Sequence, residues 1–150
     1  MSPQEKIGRP IDILLVEDNP GDVRLTQEAL HAGKVYSNLH WARDGADALE
    51  FLRRQGKHVG APRPDIILLD LNLPKKDGRE VLSTIKSDDA FKLIPVVILT
   101  TSSAEEDVLR SYELHANCFV TKPVDLDKFL QVIKSIDQFW LTIVTLPSAK

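Results

Sequence analysis

The sequence predicts an α/β protein built on a doubly wound, five-stranded parallel sheet. Short apolar runs alternate with longer amphipathic stretches, and the alternation occurs five times. The chain has 150 residues, the size of one ordinary domain, since domains cluster near ~100–150 residues. A separate output domain does not fit in that length. Parallel strands joined by right-handed crossovers place helices on both faces of the sheet.

Ile11-Asp12-Ile13-Leu14-Leu15-Val16 reads as a buried first strand ending at the acidic pair Glu17-Asp18. Asn19 offers a helix cap, and Pro20 suits the first helical position, where no N–H donor is needed. Val23, Leu25, Ala29 and Leu30 carry that helix to about Ala32-Gly33. Leu39-His40-Trp41-Ala42 is a weaker strand, and Asp44-Gly45 turns into a helix bearing Ala48, Leu49, Phe51 and Leu52. The stretch from Gln55 to Pro64 holds two glycines and two prolines and reads as the most mobile loop.

Asp65-Ile66-Ile67-Leu68-Leu69 is a continuous apolar strand that delivers Asp70 at its end. Unbroken Ile and Leu are what a central strand covered on both faces requires. Asp77-Gly78 opens a helix with Val81, Leu82 and Ile85; Pro95-Val96-Val97-Ile98-Leu99 is the fourth strand and delivers Thr100 and Thr101. Ser102 with Glu105, or Ser103 with Glu106, forms a capping box for a helix through Val108, Leu109 and Tyr112. Cys118-Phe119-Val120 is a short fifth strand, Lys122-Pro123 follows, and Asp125 caps a final helix to about Trp140.

Composition narrows the function classes. With 43% hydrophobic and 27% charged residues the chain matches ordinary globular proteins, and its net charge of −3 gives no basic footprint for nucleic acid or membrane surfaces. The single cysteine, Cys118, cannot form an internal disulfide and reads as a small buried hydrophobe. No apolar run approaches the ~20 residues of a membrane span, and the N-terminus lacks a secretory apolar region. A cytoplasmic location is the expectation. The scattered histidines His40, His58 and His115 read as structural or solvent-facing.

Ligands of open α/β sheets bind beyond the carboxyl ends of the strands. There this sequence places Glu17, Asp18, Asp70, Thr100 and Lys122. Three carboxylates that meet repel one another, so either a hard divalent cation such as magnesium joins them or one carboxylate holds a raised pKa. A carboxylate can attack phosphorus, with a cation, an ammonium and a hydroxyl neutralising the phosphoryl oxygens. Asp70 is the best nucleophile candidate, because it ends the most apolar strand. Taken singly, the pieces have plainer readings: a solvated turn pair for Glu17-Asp18, a helix cap for Asp70, a surface lysine for Lys122, strand ends for Thr100 and Thr101.

The ordered set L-L-V-E-D-N, I-I-L-L-D-L-N-L-P-K-K-D-G, V-I-L-T-T and F-V-T-K-P resembles the receiver domain of two-component response regulators over about Ile11 to Phe139. The resemblance implies a flavodoxin-like receiver fold with strand order 2-1-3-4-5. It also implies a phosphoryl group received on Asp70 from a sensor histidine kinase, with Mg²⁺ or Mn²⁺ as cofactor. Asp18 and Asp70 would ligate the cation directly, Glu17 through water, and Asn72 through its main-chain carbonyl. Thr100 would be the switch hydroxyl, Lys122 the cation paired with the phosphoryl group, Phe119 the aromatic rotamer switch, and Pro123 the proline after the lysine. Thr101 stands where a small residue is frequent and is expected to lengthen the phosphoryl lifetime; Phe119, unlike the common tyrosine, lacks a phenolic hydroxyl.

The stretches L-L-D-L-N-L-P-K-K-D-G-R-E-V-L, S-Y-E-L-H-A-N-C-F-V-T-K-P and F-W-L-T-I-V-T-L-P are similar to small stand-alone regulators partnered with bacterial and cyanobacterial phytochromes. That likeness implies a light-sensing histidine kinase as phosphodonor. The chain then divides into an arm (1–10), a receiver domain (11–140) and a tail (141–150). Leu126, Phe129, Ile133 and Ile136 recur at helical spacing as a core face. A second apolar set, Val132, Phe139, Trp140, Ile143 and Val144, cannot all fit that stripe. The plainer reading is a tail folded back over its own core, whereas the interface candidates are Phe129, Val132, Ile136, Phe139, Trp140 and Ile143. They are expected to form a homodimer or partner surface at the last helix, last strand and tail. The chain is expected to be a switch that signals to an unknown downstream protein, not a metabolic enzyme. Rival readings are an aspartyl-phosphate phosphohydrolase, which would need a cap domain, and a nucleotide-binding domain, which would need a glycine-rich loop where E-D-N-P-G-D stands. A phosphorylation-independent scaffold is the third.

Overall fold

The computed structural model describes residues 10–32, 36–71, 73, 77–100, 118–121 and 131. In chain order these form β1 (Ile11–Val16), α1 (Pro20–Ala32), β2 (Ser37–Ala42), α2 (Gly45–Arg53), a 3₁₀ turn (Gly56–His58), β3 (Ile66–Asp70), α3 (Gly78–Ser87), β4 (Val96–Thr100) and β5 (Cys118–Thr121). The helices expected between the fourth and fifth strands and after Asp125 lie outside the described residues.

The sheet has the order β2-β1-β3-β4-β5, with every neighbouring pair parallel. Chain progression therefore reverses at β1, which pairs with β2 on one side and β3 on the other. Side chains that alternate along each strand feed two separate cores. Ile11, Ile13 and Leu15 of β1 join Ile66 and Leu68 of β3 and Val97 and Leu99 of β4 under Val23 and Leu30 of α1. Leu14 and Val16 join Ile67, Leu69, Val96 and Ile98 under Leu49 and Leu52 of α2 and Val81, Leu82 and Ile85 of α3. Every residue of β3 is buried, as expected of a strand covered on both faces. Each such Leu or Ile contributes about 1.5–3 kcal/mol by leaving water.

Local chemistry sets the element ends. Asn19 caps α1: its side-chain oxygen accepts from the N–H groups of Gly21 (2.8 Å) and Asp22 (3.3 Å). Asp44 does the same for α2 through Asp47 N–H at 2.8 Å. Helix α2 ends at Arg54, whose left-handed φ of 54° lets its N–H reach the carbonyls of Glu50 and Phe51. The strand expected from Leu39 begins two residues earlier, at Ser37, because Ser37 and Asn38 stand in register with Ile11 and Asp12.

The Gln55–Pro64 stretch is tied down where the glycines and prolines predict a mobile loop. His58 Nε2 lies 2.7 Å from Asp47 Oδ1, and its ring meets Phe51 edge-on at a centroid distance of 5.2 Å. On its other side Phe51 meets His40 at 5.3 Å, and His40 Nε2 lies 3.0 Å from Asp12 Oδ1. Two histidines thus brace one core phenylalanine, each anchored by an aspartate, and Ala61 packs against the same core. The ammonium of Lys86 similarly ties the segment after α3, donating to the carbonyls of Lys92 (3.1 Å) and Ile94 (2.8 Å). Burial holds the Lys86 pKa below its ordinary value.

Candidate functional site

The carboxyl ends of β1 and β3 lie side by side where the strand order reverses, the position at which open α/β sheets bind ligands. Glu17 and Asp18 follow β1 and Asp70 ends β3. One carboxylate oxygen from each of these three residues lies within 4.8 Å of the other two. Glu17 is 1% and Asp70 3% exposed, whereas Asp18 faces solvent. Two of the charges are thus taken out of water while the third keeps access to it.

Within 4.8 Å, each pair of ionised carboxylates would repel by ~3 kcal/mol or more at an effective dielectric near 20. Oxygen-only donors converging from two buried positions and one open one fit a hard divalent cation that retains some of its water. The backbone holds them there. Glu17 N–H continues the β1–β2 ladder to the Ala42 carbonyl at 3.0 Å, and Asn19 N–H reaches Glu17 Oε1 at 3.3 Å. Leu71 N–H donates to the Leu99 carbonyl at 3.2 Å, fixing the chain just beyond Asp70.

Of the residues expected at the site, the structure brings Glu17, Asp18 and Asp70 together. Thr100 ends β4 in register with Thr121, and Phe119 stands in β5 opposite Ile98, so both backbones lie on the strands expected for them. Lys122 follows the last residue of β5 in sequence. Asn72, Thr101, Lys122 and Pro123, and the interface candidates Phe129, Val132, Ile136, Phe139, Trp140 and Ile143, lie outside the described residues.

Two residues at the site were not foreseen. A Cβ on Gly78 would lie 2.4 Å from the Asp70 carbonyl oxygen and 2.6 Å from the Leu71 Cα, so α3 starts hard against the backbone at Asp70. The sequence marks Asp77-Gly78 as a helix start, but no spacing rule reveals that close approach. The second is Trp41, whose indole Nε1–H donates to the Glu17 carbonyl at 2.6 Å.

A doubly wound 2-1-3-4-5 sheet carrying three carboxylates at its switch point defines a class of acidic, cation-binding switch domains. Comparison with known proteins makes the class specific. The profile of the response regulator receiver domain matches residues 13–134, and the chain belongs to that family of signalling switches. It is 53% identical over 140 residues to response regulator Rcp1 of Synechocystis sp., covering 93% of this chain and 95% of that protein. Among solved structures, the phosphorylated cyanobacterial phytochrome response regulator RcpA superposes with a TM-score of 0.75 at 53% identity, over 89% of this chain and 95% of that one. The Mn²⁺-bound form of Rcp1 superposes with a TM-score of 0.74 at 52% identity, over 88% and 95% of the respective chains. Among the described residues, no helix is long and apolar enough to cross a membrane.

Proposed function

We propose that this chain receives a phosphoryl group on Asp70 from the phosphohistidine of a phytochrome-type sensor kinase and relays the change of state by protein–protein contact. The observation that carries this reading is the meeting of Asp70 with Glu17 and Asp18 at the switch point of a receiver-family sheet. A carboxylate oxygen of Asp70 attacks phosphorus; the P–O bond forms as the P–N bond breaks, and the imidazole departs with the electron pair. Asp18 and Asp70 would hold Mg²⁺ or Mn²⁺ directly, Glu17 through water and Asn72 through its carbonyl. Bound there, the cation would neutralise charge on the phosphoryl oxygens.

The same reading gives Lys122 the pairing of its ammonium with a phosphoryl oxygen and Thr100 the donation of its hydroxyl to another. Phe119 follows that hydroxyl as the aromatic switch, and Thr101 shields the phosphoryl group from water. The result is a shift between two populations of one protein. Turnover is limited to the chain's own phosphorylation and hydrolysis. Residues 11–140 form the receiver domain, with 1–10 an arm and 141–150 a tail, and the protein works in the cytoplasm. Phe129, Val132, Ile136, Phe139, Trp140 and Ile143 supply a homodimer surface, supported by the second apolar set that one helical stripe cannot hold.

The test is incubation with acetyl phosphate or a phosphoramidate and Mg²⁺, read by intact mass. One added phosphoryl group is expected, absent in Asp70→Asn and in the presence of a chelator. A wild-type mass that stays unchanged refutes the reading.

A further inference from the structure

The edge strand β2 reaches into the acidic site through one side chain. Trp41 pairs in register with Leu15, and Ala42 with Val16, so β2 ends level with β1. The backbone of Glu17, which follows, is held from β2 at both its N–H and its carbonyl. Its N–H donates to the Ala42 carbonyl at 3.0 Å, and its carbonyl accepts the Trp41 indole N–H at 2.6 Å. The first bond prolongs the ladder; the second is a side-chain bond supplied by the Trp41 indole. The Arg43 guanidinium carbon lies 5.3 Å from the centre of the Trp41 ring and holds it from outside.

The Glu17 carbonyl and the Asp18 N–H belong to one rigid peptide plane. A bond that fixes this carbonyl fixes the plane, and with it the position of the Asp18 Cα from which the carboxylate is carried. Asp18 is the exposed member of the carboxylate trio, without the packing that holds Glu17 and Asp70. Burying the indole does not account for the contact, since Trp41 keeps 36% of its surface exposed and its N–H could have faced water.

We propose that Trp41 is a positioning residue for the cation site: its hydrogen bond to the Glu17 carbonyl orients the Glu17–Asp18 peptide so that both carboxylates meet Asp70. This rests on the reading of Glu17, Asp18 and Asp70 as that site. Trp41→Phe keeps an aromatic ring and removes the N–H. Loss of one neutral hydrogen bond predicts a Kd for Mg²⁺ raised about threefold to tenfold.

Two measurements test it on the full chain. Calorimetric titration with Mg²⁺ compares wild type with Trp41→Phe, with the metal-free melting temperature of each recorded alongside. A raised Kd with the melting transition retained supports the role, and a wild-type Kd overturns it. In Trp140→Phe, Trp41 is the one remaining tryptophan, and its emission is expected to change with Mg²⁺ along the calorimetric isotherm. An emission indifferent to Mg²⁺ overturns the coupling without any substitution at Trp41. If the wild-type chain binds no Mg²⁺, the cation site itself falls and Trp41's role with it; a normal wild-type Kd matched by Trp41→Phe removes only the latter.

Discussion

Asp47 shows how much a single side chain carries in the region the sequence reads as mobile. Burial pushes its carboxyl up. The hydrogen bond with His58, the Arg43 N–H at 3.2 Å and the Lys57 ammonium at 3.5 Å outweigh burial and hold it below the usual 3.8. A carboxyl depressed in the folded state adds stability above its unfolded pKa and loses it as pH falls through the folded one. Asp47→Asn is therefore expected to cost about 0.5–1.5 kcal/mol at neutral pH. Urea denaturation across pH should also show a shallower loss of stability below the usual 3.8 than in wild type. At this scale the sequence is legible for groups whose chemistry fixes their place. Asp70 is readable because an all-apolar strand can only be central, and Asn19-Pro20 because caps follow local rules. His58 and Trp41 are not, since their partners, Asp47 and Glu17, lie 11 and 24 residues away.

At the scale of elements, the joint between β3 and α3 is the tightest point near the site. Replacing Gly78 by alanine gains only helix propensity, ~0.5–1 kcal/mol. Against this stand backbone atoms of Asp70 and Leu71 at 2.4 and 2.6 Å from the new methyl, which cannot swing aside as a side chain could. Overpacking of this kind costs about 1–3 kcal/mol. The variant is expected to melt lower than wild type and to phosphorylate more slowly with acetyl phosphate, because the clash moves the Asp70 backbone. Elements themselves were readable wherever period and punctuation agree: β1, β3 and α1 stand within a residue or two of their expected bounds, and α2 and α3 start at the expected Asp44-Gly45 and Asp77-Gly78. The early start of β2 was not, because Ser37 and Asn38 owe their strand conformation to pairing with β1 rather than to their own propensity.

For the molecule as a whole, a cation held by the acidic trio, as proposed, would link stability to divalent cations. A ligand that binds only the folded state at a hundred times its Kd adds about 2.7 kcal/mol, or about 5–10 °C in Tm for a domain of this size. Saturating Mg²⁺ is expected to raise the Tm of the wild-type chain over that in chelator, and to raise it less in Asp70→Asn, read by calorimetric melting. Association is tested separately: light scattering at micromolar concentration is expected to give the mass of two chains, and a monomer before and after phosphorylation refutes the proposed interface. Five alternating units made the parallel sheet legible, whereas its strand order 2-1-3-4-5 was expected from the receiver resemblance and is the order observed. What the strand pattern did not disclose is which helix covers which face: α1 lies over one core and α2 and α3 over the other.

The carboxylates of the trio come from β1 and β3, about fifty residues apart along the chain and adjacent only when those strands pair. A cation held between them acts as a clasp on that seam. Hydrogen exchange is its natural readout: any partial opening that parts β1 from β3 must first release the ion, so amides along the seam should exchange more slowly as Mg²⁺ rises. Openings that leave the seam closed, such as fraying of the outer edge of β2, should keep their metal-free rates. The ion proposed to serve Asp70 would thus also decide which parts of the fold can breathe.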